Sequence, residues 1–176
     1  MSFLKEGKKI EKEFAELFKD VIFSNKEQDI NEHWDLKISF KYDVKSVKKI
    51  SRDDNYPNEN YHFLEIKNVN GKLGWLYSEA DFFVFETFNY YIIVKKENLQ
   101  EFVKNNVKKI MVNSPDKALY CLYQRNNRKD IITMINSLDL MYIADKIIKK
   151  VENKHFNIGE SINPKTRTQE RLNKLL

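Results

Sequence analysis

The chain reads as an α/β protein of the α+β kind, with a central mixed β-sheet flanked by helices. Three observations lead there. An apolar stripe at helical spacing opens it, with Ile10, Phe14, Leu17 and Phe18 recurring between Lys and Glu. Short runs rich in β-branched and aromatic residues then follow one another, as in Tyr61–Val69 and Tyr90–Lys95. Helical periodicity returns late, through Leu99, Phe102 and Val103 and again through Leu140, Ile143, Ile147 and Ile148. Helix, strands, more strands and helices in that order suit a sheet with helices packed against it.

Taken in sequence, residues 4–19 are the first helix, and Val21-Ile22-Phe23 is a short strand or the helix exit. The polar stretch 24–32 reads as a loop, and 33–39 and 41–48 as strands separated by a short connection. Residues 50–60 are a polar surface loop, 61–69 a third strand, and Asn70-Gly71 a turn. Further strands cover 81–86 and 90–95, and a helix 97–107. A strand over 118–124 turns at Asn126-Asn127-Arg128 into a hairpin partner at 131–135. Ser137 is the expected N-cap of a helix over 138–150. Beyond residue 152 the periodicity fades, so the reading is one domain over 1–152 and a basic C-terminal arm over 153–176.

The 176 residues are 41% hydrophobic and include 12 Phe and 9 Tyr, enough for one core. A chain of this length buries roughly 70% of its surface on folding. The formal net charge is +5, a weak pointer to a polyanionic partner. Its distribution is more telling. Between residues 41 and 52, Lys41, Lys45, Lys48, Lys49 and Arg52 face a single acid, Asp43. The lone Cys121 excludes an internal disulfide and a cysteine-based zinc knuckle, and suits a reducing compartment. With no apolar run of membrane-spanning length and no hydrophobic leader at Met1–Lys8, a cytoplasmic protein without a membrane partner is expected.

Chemistry gathers between His33 and Lys49. In a strand, Asp43 and Lys45 project to the same side and Val44 to the other. If 35–45 is a hairpin, Asp35 comes opposite or nearly opposite Asp43. An acid-x-lysine triplet alone says little, since the chain has five: at 6–8, 35–37, 43–45, 65–67 and 152–154. Asp43-Val44-Lys45 stands out for its apolar neighbours Tyr42, Val44 and Val47, for Asp35 upstream, and for the preceding helix bearing Glu11.

These residues resemble the PD-(D/E)xK nuclease superfamily, in particular its small resolvase-like and phage-type members. The opening Gly7-Lys8-Lys9-Ile10-Glu11-Lys12-Glu13-Phe14 is similar to the family's first helix, which puts Glu11 in the place of the helix glutamate. Asp35 matches the strand-end aspartate, with Trp34 where the family's proline stands, and Asp43 with Lys45 matches the acid-x-lysine pair. The resemblance covers about the first half of the chain. A second register stays open, with Asp43 as first aspartate and Glu65-Ile66-Lys67 as the pair; the first is preferred. The resemblance implies a restriction-endonuclease-like αβββαβ core and metal-dependent DNA cleavage. In that chemistry Glu11, Asp35 and Asp43 hold Mg2+ or Mn2+, and Lys45 orients water or stabilises the transition state.

Lys48, Lys49, Arg52, Lys72, Trp75, Arg125 and Arg128 are the expected DNA contacts. For Trp75, beside Leu73 and Leu76, core packing is the plainer reading, and for the charged residues a solvated surface. Gly71-Lys72-Leu73-Gly74 is a candidate loop for close approach to a nucleic-acid backbone. A homodimer placing two sites on DNA is the natural architecture at this size. The alternative is a catalytically inactive nucleic-acid-binding module of the same fold; a third possibility is an interaction protein with a solvated charged face. No Gly-rich phosphate loop or nucleophile elbow is present, and three His with one Cys make a zinc enzyme a poor fit.

Overall fold

Two mixed sheets organise the chain. The computed structural model describes residues 3–18, 21–51 and 53–150, without the side chains of 3–6. Helix α1 (Phe3–Ala15) leads into β1 (Ile22–Phe23), α2 (Lys26–Glu32), β2 (Leu36–Lys37) and β3 (Lys41–Lys45). Then come β4 (Tyr61–Lys67), β5 (Phe82–Glu86), β6 (Tyr90–Lys95) and α3 (Lys96–Asn106). The remainder is β7 (Met111–Val112), β8 (Leu122–Tyr123), β9 (Ile131–Asn136), α4 (Ser137–Ile143) and β10 (Lys146–Lys149).

The larger sheet runs β1-β2-β3-β5-β6-β10, and the smaller β4-β9-β8-β7. Within the first, β1, β2 and β3 form an antiparallel meander, β5 lies parallel to β3, and β6 and β10 continue antiparallel. The smaller sheet is antiparallel except for the parallel pair β7–β8.

Strand alternation divides the core into two layers. On one face of the large sheet Leu36, Val84, Tyr91, Ile93 and Ile148 pack against Ile10, Phe14 and Ala15 of α1. Phe14 is fully buried, with ring centres of Phe18, Tyr42 and Tyr91 within 5.2–5.9 Å; enclosing such a side chain contributes about 1.5–3 kcal/mol. On the opposite face Phe83, Phe85, Ile92 and Val94 meet Leu64 and Ile135 of the small sheet, with Leu99 of α3 and Leu140 of α4.

Several sequence expectations are corrected. The third strand, β4, belongs to the small sheet, so the described residues form two sheets in place of the single central one expected. The stretch expected as a loop at 24–32 contains α2, closed at its start by a capping box in which Asn25 Oδ1 accepts from Gln28 N and Gln28 Oε1 from Asn25 N. That helix buries no residue, so apolar periodicity could not show it. The expected strand at 118–124 shrinks to β8, because Tyr120 takes a positive φ of 54° that breaks extended pairing.

The expected helix over 138–150 ends at Ile143, and Ile147 and Ile148 alternate across β10, one into each core layer. Asn136 rather than Ser137 caps α4, its side chain accepting from Leu138 N at 2.8 Å. Ser137 instead donates its hydroxyl to the carbonyl of Glu59. The expected arm at 153–176 lies outside the described residues, as does Arg52. No helix among the described residues is long and apolar enough to cross a membrane.

Candidate active site

The β2–β3 hairpin sets the geometry. Its register pairs Leu36 with Tyr42 and Lys37 with Lys41, so one residue further out Asp35 faces Asp43. Asp35 N donates to Tyr42 O at 3.0 Å, and its Oδ2 accepts from Val44 N at 2.8 Å, which locks the carboxylate against the strand end. Tyr42 and Val44 pack on the α1 side. Asp43 and Lys45, one residue out of phase, point the other way, in parallel register with Phe83 and Phe85 of β5.

Asp43 is 3% exposed. Its Oδ1 lies 2.5 Å from Lys45 Nζ, while its Oδ2 is buried with no hydrogen-bond partner among the described residues. The lysine ammonium is held on its other side by an aromatic face, 4.3 Å from the Trp75 ring centre. Trp75 packs in turn on Phe83, with ring centres 5.0 Å apart. A buried, unpartnered carboxylate oxygen costs about 1–3 kcal/mol or more.

Charges converge on this point. Burial, followed by the nearby Asp43 carboxylate, pushes Asp35 up to about 8, with Lys45 and the Val44 amide opposing. Glu11 of α1 is also raised, by burial first and then Asp29, and it feels Asp43 and Lys45 as well. Glu11, Asp35, Asp43 and Lys45 therefore share one electrostatic neighbourhood, although Glu11 makes no hydrogen bond to the other three. Among the described residues no three acidic, His or Cys side chains draw together closely enough to enclose a metal ion.

Beside Lys45 opens a cleft of about 910 Å3. Its walls include Lys48, Trp75, Arg125 and Arg128, four of the expected DNA contacts. The ammonium of Lys48 is pushed down by desolvation and then by Lys45, with Asp43 and Glu65 acting against them. Arg125 is anchored by an ion pair to Asp130, which is fully buried. Lys49 and Lys72 are exposed and stand apart from the cleft walls.

Glu65 lines the same cleft, from β4. The second register would need β4 beside β3, whose neighbours are β2 and β5. Lys67 is exposed and bridges to Leu73 across a tight turn. The expected close approach at Gly74 is made to the chain itself. A Cβ there would lie 2.3 Å from the Glu65 carbonyl oxygen, and Gly74 N donates to Ile66 O at 2.9 Å.

Tyr61, His62, Phe63 and Tyr123 also line the cleft and are additions of the structure. The signal in the sequence for the first three was alternation on β4, which reads as core in any sheet; Tyr123 lies on the two-residue β8, too short to show a pattern. Compared with known proteins, the chain matches no family model, no curated protein and no solved structure.

Proposed function

We propose that this chain is a metal-dependent DNA endonuclease that hydrolyses phosphodiester bonds at Asp35, Asp43 and Lys45. The observation that carries the reading is Asp43 Oδ2, buried and without a donor among the described residues, beside a second carboxylate whose ionisation the protein resists. Two oxygen-donor acids in this state fit a hard divalent cation such as Mg2+ or Mn2+. Such a cation commonly takes one or two carboxylates and leaves its other positions to water and phosphate. When bound, the cation supplies the charge that makes water nucleophilic at neutral pH and offsets charge building on the phosphate.

The chain's own groups divide the remaining work. Water adds to phosphorus and sheds one proton, the bond to the sugar oxygen breaks, and the leaving oxygen takes up one, so the proton count is unchanged. The Lys45 ammonium, fixed between Asp43 and Trp75, is placed to donate to a phosphate oxygen as negative charge develops there. Asp35 and Asp43 would hold the cation, and its positive charge would favour the ionised form of Asp35 over the protonated one. Glu11 adds a negative potential from α1. The element order supports a restriction-endonuclease-like core: α1, then the meander β1-β2-β3, then β5 parallel to β3. The crossover from β3 to β5 runs through β4 in place of a helix.

A second reading, a binding module without turnover, draws on the Lys45–Asp43 ion pair, which neutralises the site with no metal present. The two are separated by incubating plasmid, linear, single-stranded and four-way-junction DNA with Mg2+, Mn2+ or EDTA. Wild type is compared with Asp43→Asn and Lys45→Ala. Cation-dependent cutting lost in both variants supports the nuclease. Salt-sensitive binding without cutting, unchanged by either substitution, replaces it with the binding module.

A further inference from the structure

The cleft beside Lys45 carries two kinds of lining. One is cationic: Lys45 and Lys48 at and just after the end of β3, Arg125 and Arg128 in the turn after β8. The second is aromatic, and the register explains how it arises. Glu65 pairs with Ile132, and Ile132 with Tyr123, so these three side chains share one face of the small sheet. Phe63 and Tyr61 lie two and four residues before Glu65 on the same strand, hence on the same face. The opposite face of β4, through Leu64, is sealed in the core. The sheet therefore turns Tyr61, Phe63 and Tyr123 toward the cleft, which Trp75 also lines. All four rings are part-buried, neither sealed in the core nor fully open to solvent.

Aromatic rings on a sheet face bordered by cations make a stacking platform for unpaired bases, because any base offers a π-face once it leaves its helix. A duplex keeps its bases stacked inward and presents only phosphates and groove edges. The volume of about 910 Å3 lies at the upper end for clefts that enclose small ligands. That is room for a few nucleotides of one strand, and too little for a double helix. We propose that the cleft holds an unpaired DNA strand, its bases against Tyr61, Phe63 and Tyr123 and its phosphates along Lys48 and Arg128. This deepens the nuclease reading and rests on it for the position of the cut: the strand's phosphates would pass Lys45 at the cleft edge. The substrate class is single-stranded DNA, as a free end, a flap or a junction arm.

The test is binding in EDTA, where cleavage is not needed. The full chain is titrated with a short fluorescein-labelled oligonucleotide, and separately with the same sequence as a blunt duplex. The unpaired strand is expected to bind at least about tenfold more tightly and to change the tryptophan emission of a Trp34→Phe background. Tyr123→Ala is expected to weaken it by about tenfold, Tyr123→Phe to restore it, and Arg128→Ala to weaken it and lower the salt dependence. Lys104→Ala, on α3 and outside the cleft, leaves it unchanged. Equal or tighter duplex binding overturns the inference, as does an affinity indifferent to Tyr123→Ala and Arg128→Ala, whatever the cleavage assay gives. Strand binding through these residues with no cutting in Mg2+ supports the cleft assignment while the nuclease reading fails.

Discussion

The Lys45 ammonium sits 4.3 Å from the centre of the Trp75 ring, while Asp43 holds it from the other side at 2.5 Å. Such a lysine has little freedom, and its position depends on the ring as much as on the acid. Trp75→Leu removes one of the two restraints, worth about 0.5–2 kcal/mol for a cation on an aromatic face. In the cleavage assay this variant is expected to lose activity by about twofold to thirtyfold. Trp75→Phe retains most of it, and the Mg2+ concentration for half-maximal rate stays unchanged in both.

Asp35 sets a pH dependence of stability. Its pKa is raised to about 8 in the folded chain, from an ordinary 3.8. Between those values the unfolded chain has lost the proton that the folded chain keeps. Stability on this account is full below about pH 4, falls as pH rises, and reaches its floor above about pH 8. Asp35→Asn keeps an acceptor for Val44 N and removes the ionisation. Thermal melts should show it more stable than wild type at pH 8–9 and nearly equal at pH 4. Each kcal/mol gained is worth about 2–4 °C in a chain of this size.

Divalent cation should narrow that difference. Mg2+ at about a hundred times its dissociation constant would stabilise wild type by about 2.7 kcal/mol. Asp43→Asn and Asp35→Asn should show little of this effect. A melting temperature of wild type indifferent to Mg2+ and Mn2+ at pH 8 would remove the metal from the proposal.

His62 titrates in the opposite sense. Burial against Phe85, at a ring-centre distance of 5.1 Å, lowers its pKa to about 4 from 6.5. The unfolded chain binds the proton first as pH falls. The stability of the buried neutral ring is therefore full above about 6.5 and drains away between 6.5 and 4. His62→Phe should flatten the change in urea midpoint between pH 7 and 4.5 relative to wild type.

Gly74 and Gly71 are both glycines of one turn region, constrained for different reasons. At Gly74 an added Cβ meets the Glu65 backbone, so Gly74→Ala must shift β4 or the chain after it. A cost of about 1–3 kcal/mol or more is expected, as for overpacking. At Gly71 the obstacle is a φ of 81°, and the nearest side-chain atom is an ordinary 3.4 Å away. Gly71→Asn should therefore be mild, because Asn tolerates the left-handed region. Chemical denaturation of the two variants should rank them in that order.

Much of the fold was legible where the signal is local. The stripe Ile10–Phe14 is α1, the runs expected at 81–86 and 90–95 are β5 and β6, and Asp35 does come opposite Asp43 in a short hairpin. What escaped was non-local or unpatterned. Helix α2 buries nothing, yet Asn25 and Gln28 carry its cap, and that three-residue spacing was the available cue. Ile147 and Ile148 fit a helix face and a strand equally well, and only the edge of β6 decides between them. The alternation of β4 specifies a half-buried strand without naming its partner. The cleft followed the same rule: its walls come from β3, β4 and β8, and no single window of sequence contains them.

The route of the chain through its two sheets has a consequence for biosynthesis. Among the described residues β4 has a single ladder partner, β9, yet β5, β6, α3, β7 and β8 are all made before it. During translation β4 therefore leaves the ribosome without its ladder partner, and its edge along 61–65 stays bare until residue 136 has emerged. Bare strands of this kind recruit neighbours indiscriminately. The nascent chain, more than the finished protein, is where a chaperone would be needed, and any truncation upstream of β9 should yield insoluble product.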